Sequence, residues 1–294
     1  MRRSTSFDAL IKLIDDPDVV VFEYVRNEIL KNGKEIIPQL NDLLDYEHIS
    51  AQQYERIEAL VKELHFSHVL DSITKWCTSS EKDLLHGLQI LSSYQFPDLT
   101  LEQLHGQVQN IQRRIWLEVN RRMTAFEIVE RMNIMWYGNI GLKVVDKNIA
   151  TPFHTFINTA IEDLSGTPLA TGLLYSIIAQ RLNLPIYGVN FPNQFVLAYI
   201  DEFRIHQLIE PLGSGGVLFY LLPANHGKVI LKKQLDDILR QSDVLSVREY
   251  FEPCSHSSLL ILYLDELIEV YSKIERGQQV NHYQMLKNRI LELA

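Results

Sequence analysis

Apolar positions recur at helical spacing through the first 120 or so residues. The stretch "DDPDVVVFEYVRNEILKNG" predicts a helix with Asp15 or Asp16 as its N-cap and Pro17 as its first residue. Asn32 and Gly33 mark its C-terminal end. "KEIIPQLNDLLD" predicts a second, shorter helix, and "SSEKDLLHGLQILSSYQFPD" is a weaker copy of the first. Paired helices of this kind bury their apolar faces by stacking, so the pattern predicts a helical repeat region over residues 1–122.

The pattern changes near Thr124. "TAFEIVERMNIMWYGNIGL" predicts one more helix, which ends near Gly138. Further along, "LATGLLYSIIAQRLNL" is apolar on nearly every face, and a helix with so little polar surface lies in the centre of a domain. Thr167 is its expected N-cap and Pro168 its expected first residue, because Ser, Thr and Asp favour the cap and proline favours the first helical position.

Runs with a period of two residues follow this helix and predict an antiparallel sheet. They are "IYGVNF", "QFVLAYI", "FRIHQLI" and, after "EPLGSGG", "VLFYLL". The short segment "DEF", residues 201–203, separates the second run from the third and predicts a hairpin tip. "KKQLDDILRQS" then returns to helical spacing.

The last part of the chain predicts two amphipathic helices that are broken near Gly277. The fold class is therefore α+β, in three parts. Residues 1–122 form a helical region, residues 123–252 a core that holds the buried helix and the sheet, and residues 253–294 a helical hairpin.

Several of these segments resemble known families. The N-terminal helix pairs resemble HEAT-type repeats, and the C-terminal pair resembles a TPR-type hairpin. "WYGNIGLKV", "DLSGTPLATGLLYSIIAQRLNLPIYGVNFPNQFVLAYI" and "LIEPLGSGG" resemble the bacterial SirB-type family of transglutaminase-like proteins. This resemblance implies a transglutaminase-like core, preceded by a helical region and followed by a repeat-like helical tail.

The resemblance also implies where catalytic residues would lie. Catalytic members of the wider superfamily carry a Cys at the N-terminus of the buried helix, a His on one strand and an Asp on the next. These positions fall on Pro168, Gln194 and Glu210 of this chain. Proline has no nucleophile, and a glutamine amide cannot accept a proton near neutral pH. The degenerate triad therefore predicts no acyl transfer.

Gln194 has two interpretations. If residues 201–203 form the hairpin tip, Gln194 faces Glu210, and His206 lies opposite Ala198 on the same face. Gln194 could then donate a hydrogen bond to the Glu210 carboxylate. Thr167, Gln194, His206 and Glu210 would either line a polar cleft that binds a small group or peptide, or form a vestigial site. A tip one residue shorter breaks the arrangement.

Two further groups of nucleophiles have simpler explanations. The hydroxyl of Thr167 is expected to cap the buried helix, and Thr171 lies on a packed helix without an evident base. Cys254 and His256, in "EPCSHSS", are two residues apart at the start of a helix, but nothing near them in sequence supplies an orienting carboxylate. We expect an ordinary junction between a loop and a helix that a serine caps.

Composition and charge limit the kinds of partner, compartment and cofactor that are expected. The net charge of −9 argues against nucleic acid, because backbone phosphates are bound mainly by clustered Lys and Arg. Two distant cysteines favour a reducing compartment. No signal peptide and no membrane-spanning run are expected, which favours a cytoplasmic location. The ten histidines do not form a metal-binding spacing, so no metal and no cofactor are expected.

These observations lead to three hypotheses about function. The first is a non-catalytic protein that binds a protein or peptide through its helical surfaces, its cleft or both. The second is a hydrolase or amidase that uses Gln194, His206 and Glu210, with His206 as base and water as nucleophile. The third is a structural subunit whose cleft is closed by its own helices, in which case side chains should fill the groove above Gln194. The sequence identifies neither the partner nor the oligomeric state.

Overall fold

The computed structural model describes residues 9–45, 49–120, 122–200 and 216–293. The chain divides into two compact units, Met1–Lys75 and Trp76–Ala294. The division falls inside one long helix of residues Ala51–Thr78. The three-part division at residues 122 and 252 stays a prediction.

The first unit is helical. Its elements are α1 (Val19–Leu30), a 3₁₀ turn (Gly33–Ile36), α2 (Ile37–Leu44) and the first part of α3 (Ala51–Thr78). They share one apolar core, in which Val25, Ile29 and Leu40 are fully buried. The two predicted helices are thus present, while their assignment as a HEAT-type repeat stays a prediction.

The start of α1 differs from the expectation. The N-cap is Asp18, not Asp15 or Asp16, and its carboxylate accepts a hydrogen bond from the N–H of Val20 at 2.8 Å. Asp18 has the extended backbone that a cap requires, so Pro17 lies before the helix instead of opening it. The carboxylate of Asp16 instead accepts a hydrogen bond from the N–H of Asp18.

The second unit combines helices with two small sheets. Its helices are α4 (Leu84–Ser92), α5 (Leu101–Trp116), α6 (Ala125–Asn133), α7 (Pro152–Thr155), α8 (Ile157–Glu162), α9 (Pro168–Arg181), α10 (Lys232–Gln241), α11 (His256–Lys273) and α12 (Gly277–Leu293). A π-helical turn, Ile134–Asn139, continues α6. The strands are β1 (Lys143–Val144), β2 (Ser165–Gly166), β3 (Ile186–Phe191), β4 (Gln194–Ile200), β5 (Val217–Leu222) and β6 (Lys228–Ile230).

The larger sheet has the order β3-β4-β5-β6, with antiparallel neighbours throughout. The predicted strands "IYGVNF", "QFVLAYI" and "VLFYLL" are confirmed as β3, β4 and β5. The predicted strand "FRIHQLI" lies outside the described residues. The short β1 and β2 pair in parallel and form a separate ladder. The fold class is α+β, as expected.

Helix α9 is the buried helix that its sequence predicts. Every residue from Leu169 to Ala179 is buried. At Gly172 the helix comes so close to the sheet that a Cβ would lie 2.7 Å from the ring of Phe195 and 2.8 Å from Pro223. The glycine therefore permits the close packing of α9 against β4, which fixes the N-terminus of α9 beside the β3–β4 hairpin.

The C-terminal helices also match the expectation. Helix α11 ends at Lys273, and α12 begins at Gly277, where the break was predicted. The two helices pack against each other, and Leu264, Leu267 and Leu286 are fully buried. Their assignment as a TPR-type hairpin stays a prediction. Among the helices that the structure describes, none has an apolar stretch of the length needed to cross a bilayer.

Candidate functional site

A cleft of about 640 Å³ lies at the N-terminal end of α9. Five segments of the second unit line it: the loop after β1, the start of α9, the β3–β4 hairpin, the 3₁₀ turn after β5, and one face of α11. The polar and charged lining residues are Asp146, Lys147, Asn148, Asn190, Asn193, Gln194, Asn225, Asp265, Glu266 and Glu269. The volume falls in the range of roughly 300–1,000 Å³ that is usual for ligand pockets.

The start of α9 forms the inner end of this cleft. Thr167 caps the helix, since its hydroxyl accepts a hydrogen bond from the N–H of Ala170 at 3.2 Å. The N–H of Thr167 donates to the carbonyl of His154 at 2.9 Å, which ties the cap to α7. Pro168 is the first helical residue and lines the cleft. Both assignments agree with the sequence, and the ring of Pro168 leaves no side-chain nucleophile at this position.

The β3–β4 hairpin forms a second wall. Pro192 and Asn193 are its two loop residues, and Asn193 has a φ of 64°. Asparagine tolerates this left-handed conformation better than most residues, so the pair suits a tight turn. Gln194 is the first residue of β4 and pairs with Phe191. The turn therefore places Gln194 at the cleft, together with Asn190 and Asn193.

The loop after β1 forms a third wall. Lys143 pairs with Ser165 and Val144 pairs with Gly166, which holds this loop next to the residues that lead into α9. The carboxylate of Asp146 accepts a hydrogen bond from the N–H of Asn148 at 2.8 Å. Lys147 is exposed, and it is the only lysine or arginine among the described lining residues.

Glu266 of α11 was not a candidate in the sequence, yet it lies at the centre of the site. Its carboxylate accepts a hydrogen bond from the Thr167 hydroxyl, the same group that caps α9. Burial raises the pKa of Glu266 to about 7, and the hydrogen bond from Thr167 counteracts part of this increase. A carboxyl group with this pKa changes its charge near neutral pH, which is uncommon outside functional sites.

The other acidic residues of α11 in the cleft have cationic partners. Asp265 forms an ion pair with Lys287 of α12. Glu269 forms one with Lys273 at 2.7 Å, and this hydrogen bond holds the pKa of Glu269 below its ordinary value. Glu266 forms no ion pair with any lysine or arginine of the described residues; Lys147 acts on it only at longer range. Within the described residues, Glu266 is thus a partly buried carboxyl group that has no lysine or arginine paired with it.

Two buried hydroxyl groups lie beside Glu266. Thr167 has no exposed surface, and its hydroxyl donates a hydrogen bond to the carboxylate. Thr155 of α7 is also fully buried, and within the described residues its hydroxyl has no partner at hydrogen-bond distance. It still lies close enough to Glu266 to lower the pKa of that carboxyl. Among the described residues, the Thr167 hydroxyl is the only donor within hydrogen-bond distance of the Glu266 carboxylate; the Thr155 hydroxyl acts on the pKa in the same direction, as a donor would, but lies outside that distance.

The thiols of the chain lie elsewhere. Cys254 does not line the cleft; its thiol donates to the carbonyl of Gly188 at 3.2 Å, and burial raises its pKa to about 11. Ser255 caps α11, and His256 contacts the carbonyl of Lys82. The junction is therefore the ordinary one that we expected. Cys77 is buried, and burial raises its pKa as well.

The predicted cleft residues are only partly brought together. Pro168 and Gln194 line the same cleft, and Thr167 lies behind Pro168 against Glu266. His206 and Glu210 lie outside the described residues, so the expected contact between Gln194 and Glu210 stays a prediction. The expected register, which places His206 opposite Ala198, is wrong, because Ala198 pairs with Tyr187 on one side and with Tyr220 on the other, and a strand has no third edge.

The described residues that line the cleft include neither a cysteine nor a histidine. Thr171, the other hydroxyl near the start of α9, is fully buried and donates to the carbonyl of Thr167 at 2.9 Å. Throughout residues 9–45, 49–120, 122–200 and 216–293, no three His, Cys, Asp or Glu side chains are grouped to hold a metal ion. The site therefore combines a partly buried carboxyl group with asparagine and glutamine residues at a helix N-terminus.

This fold and this cleft define a class of protein. A family model of the transglutaminase-like superfamily matches residues 102–264, which is more than half of the chain. The chain belongs to this superfamily. The match contains α9, the β3–β4 hairpin and most of the cleft, including Pro168 and Gln194.

The individual relatives are more distant. The UPF0162 protein of Pasteurella multocida (strain Pm70) is 28% identical over 94 residues, which are 32% of this chain and 36% of that protein. The UPF0162 protein of Xylella fastidiosa (strain Temecula1) is 23% identical over 149 residues, 49% of this chain and 47% of its own. The chain thus spans less than half the length of these curated relatives. No solved structure matches the chain.

Proposed function

We propose that the protein is a non-catalytic, SirB-type member of the transglutaminase-like superfamily that binds a protein or peptide partner in the cleft beside Gln194. The observation that supports this proposal is the composition of the cleft. Pro168 and Gln194 occupy the positions that the family resemblance assigns to the nucleophile and the base. The described lining offers no thiol and no imidazole in their place.

The shape of the cleft favours binding over a purely structural role. A structural subunit was expected to fill the groove above Gln194 with its own side chains. The described residues instead leave about 640 Å³ there. Four asparagines and one glutamine line this space, and each primary amide has two donors and one acceptor oxygen. Such groups can bind the N–H and C=O groups of a peptide.

The first experiment tests the absence of catalysis. Purified protein is incubated with a glutamine-containing protein and a fluorescent primary amine, and covalent incorporation is followed over time. We expect no incorporation above the level of a protein-free control. Incorporation that Cys254→Ser or Thr167→Val abolishes would contradict the non-catalytic assignment.

The second experiment tests binding in the cleft. Asn190 is exposed on β3 and lines the cleft, whereas Lys228 is exposed on β6 and does not. Asn190→Trp fills the space, and Lys228→Trp is the matched control. We expect proteins or peptides captured from native lysate by the parent chain to be lost with Asn190→Trp and kept with Lys228→Trp. Equal capture by both variants would exclude the cleft as the binding site.

A hydrolase remains the second candidate, and one observation favours it. Glu266 has a pKa of about 7 and lies at the N-terminus of α9, so it could activate a water molecule. The earlier candidate base, His206, lies outside the described residues. If the protein hydrolyses a panel of peptide amides at pH 7, Glu266→Gln and His206→Ala distinguish the two bases. The absence of turnover across the panel would exclude this candidate.

A further inference from the structure

Glu266 is a carboxylate of the cleft that lacks an ion-pair partner among the described residues. It is partly buried, and only one of its carboxylate oxygens has a hydrogen-bond donor within bonding distance there, so the other oxygen is open to the cleft. Burying a carboxylate is costly unless a cation or several donors compensate it. Thr167 supplies one donor. The remaining oxygen belongs to a residue that lines the cleft, so a ligand in the cleft can supply the missing partner.

The surrounding charges favour a cationic ligand. Besides Glu266, the cleft contains Asp146, Asp265 and Glu269 against the single lysine Lys147. Asp265 and Glu269 are already compensated by lysines of α12 and α11. Asp146 and Glu266 are therefore the lining carboxylates without an ion pair among the described residues. Asp146 is exposed and accepts a hydrogen bond from the N–H of Asn148, whereas Glu266 is the less exposed of the two, so a ligand cation gains most by pairing with Glu266.

We propose that the cleft selects a peptide segment with a lysine or arginine side chain, whose cationic group pairs with the carboxylate of Glu266. This inference rests on the proposed binding function and adds its charge specificity. The amides of Asn190, Asn193 and Gln194 contact the flanking peptide groups. Charge-assisted hydrogen bonds of this type are about twice as strong as neutral ones, so the pair determines the preference.

The proposal predicts that binding releases a proton. Near pH 7 part of the free protein carries a protonated Glu266, because burial raises its pKa, and a bound cation favours the ionised form. Lysine and arginine keep their charge between pH 6 and 8. Affinity should therefore rise about tenfold from pH 6 to pH 8, since the ionised fraction of a group with a pKa near 7 rises by this factor.

Other titratable groups face Glu266 and must be separated from it. Asp265, Glu269 and Tyr263 lie on the same helix, and Asp146 and Lys147 lie on the loop after β1. Helix α7 contributes His154, whose imidazole contacts the backbone and hydroxyl of Thr151. Glu269 stays ionised in this range because Lys273 lowers its pKa, and the pKa of Tyr263 is raised by burial. A Glu266 variant is therefore needed to separate the contribution of Glu266 from that of these neighbours.

The test uses the full chain and a displayed library of random heptapeptides. Peptides that bind the parent chain and not Asn190→Trp are taken as cleft ligands. The best ligand is then synthesised together with a copy in which norleucine replaces its basic residue. Titration calorimetry at pH 6 and pH 8, in two buffers of different ionisation enthalpy, gives both affinity and proton release.

We expect the selected ligands to share a lysine or arginine and to lose at least tenfold in affinity with norleucine. Glu266→Gln should remove this preference, the proton release and the pH dependence together. Glu102→Gln, an exposed glutamate of α5 outside the cleft, should retain all three. Retention of the preference or of the proton release in Glu266→Gln would overturn the proposal.

The outcomes also separate this inference from the proposed function. Cleft ligands without a basic residue, or with equal affinity for the norleucine copy, would refute the charge specificity and leave the binding function intact. If every peptide that binds the parent chain also binds Asn190→Trp, or if no peptide binds, the binding function itself is refuted.

Discussion

Two helix N-termini of the second unit each have one of the two features that a reactive site needs. The start of α11 has a thiol but no cleft, and the start of α9 has a cleft but no thiol. At α11, Ser255 caps the helix and the thiol of Cys254 precedes it. That thiol is buried against the carbonyl of Gly188 and has a pKa of about 11. At α9, Thr167 caps the helix, the cleft is present, and Pro168 has no reactive atom.

The comparison shows that a nucleophile needs both a helix N-terminus and a surrounding that favours its charged form. A helix N-terminus lowers a thiol pKa through its dipole and free N–H groups. At Cys254, burial outweighs this effect. At α9 the group that faces the helix N-terminus is the carboxyl group of Glu266, and burial raises its pKa to about 7.

The strongest test of the comparison places a thiol at the start of α9 and compares its reactivity with that of Cys254. Pro168→Cys places a thiol at the first position of α9, beside the cleft. If the helix N-terminus offsets the nearby carboxylate, so that the new thiol keeps the ordinary cysteine pKa of about 8.5, its thiolate fraction at pH 7 should exceed that of Cys254 roughly 300-fold. Site-resolved mass spectrometry of iodoacetamide labelling measures both rates in one protein.

Labelling of residue 168 that is no faster than labelling of Cys254 would contradict this comparison. The double variant Pro168→Cys, Glu266→Gln sharpens it, because it removes the negative charge that opposes the thiolate. We expect the double variant to react faster than the single one.

Glu266→Gln should change stability by the next largest amount. The pKa of Glu266 is about 7 in the folded protein and 4.5 in the reference state, so the folded state holds a proton that the unfolded state has lost between these values. Stability therefore falls as the pH rises from about 4.5 to 7. The glutamine variant avoids this loss and should be more stable at pH 8 by up to roughly 3 kcal/mol.

Urea unfolding of both proteins at pH 4, 6 and 8 measures this difference. The two free energies of unfolding should converge at pH 4, where Glu266 is protonated in both states. A difference that is the same at all three values would assign it to packing and not to ionisation.

The smallest expected effects come from the caps. Ser255→Ala removes only a cap and should cost about 1 kcal/mol at any pH. Thr167→Val removes a cap and also the donor to Glu266, so it should cost about 1–2 kcal/mol and more at pH 8 than at pH 4. Thr167→Ser keeps the hydroxyl and serves as the control. Urea unfolding at the two pH values measures all three variants, and equal pH dependence of Thr167→Val and Ser255→Ala would contradict the role of Thr167.

Local patterns were sufficient for much of the fold. The apolar helix with its Thr167-Pro168 start, the strands that became β3, β4 and β5, and the break at Gly277 follow from periodicity and capping. The errors have local causes too. Asp18 replaced Asp15 or Asp16 as the cap because three aspartates flank Pro17, and the sequence does not show which one has extended backbone.

Periodicity did not predict the short strands β1, β2 and β6, because two or three residues are too few to show a period. The partners of β4 also depended on tertiary structure. The sequence favoured the next run along the chain, whereas among the described strands β3 and β5 flank β4.

The sequence by itself determined that no cysteine begins the buried helix, where Thr167 is the cap and Pro168 the first residue. It also placed Gln194 at the mouth of a strand. Only the tertiary structure decided what faces them: Glu266 is 99 residues away from Thr167 along the chain. The pKa of Glu266 is raised by burial, and this burial depends on how α7, α9 and α11 pack together. The spacing of residues along the sequence does not show that packing.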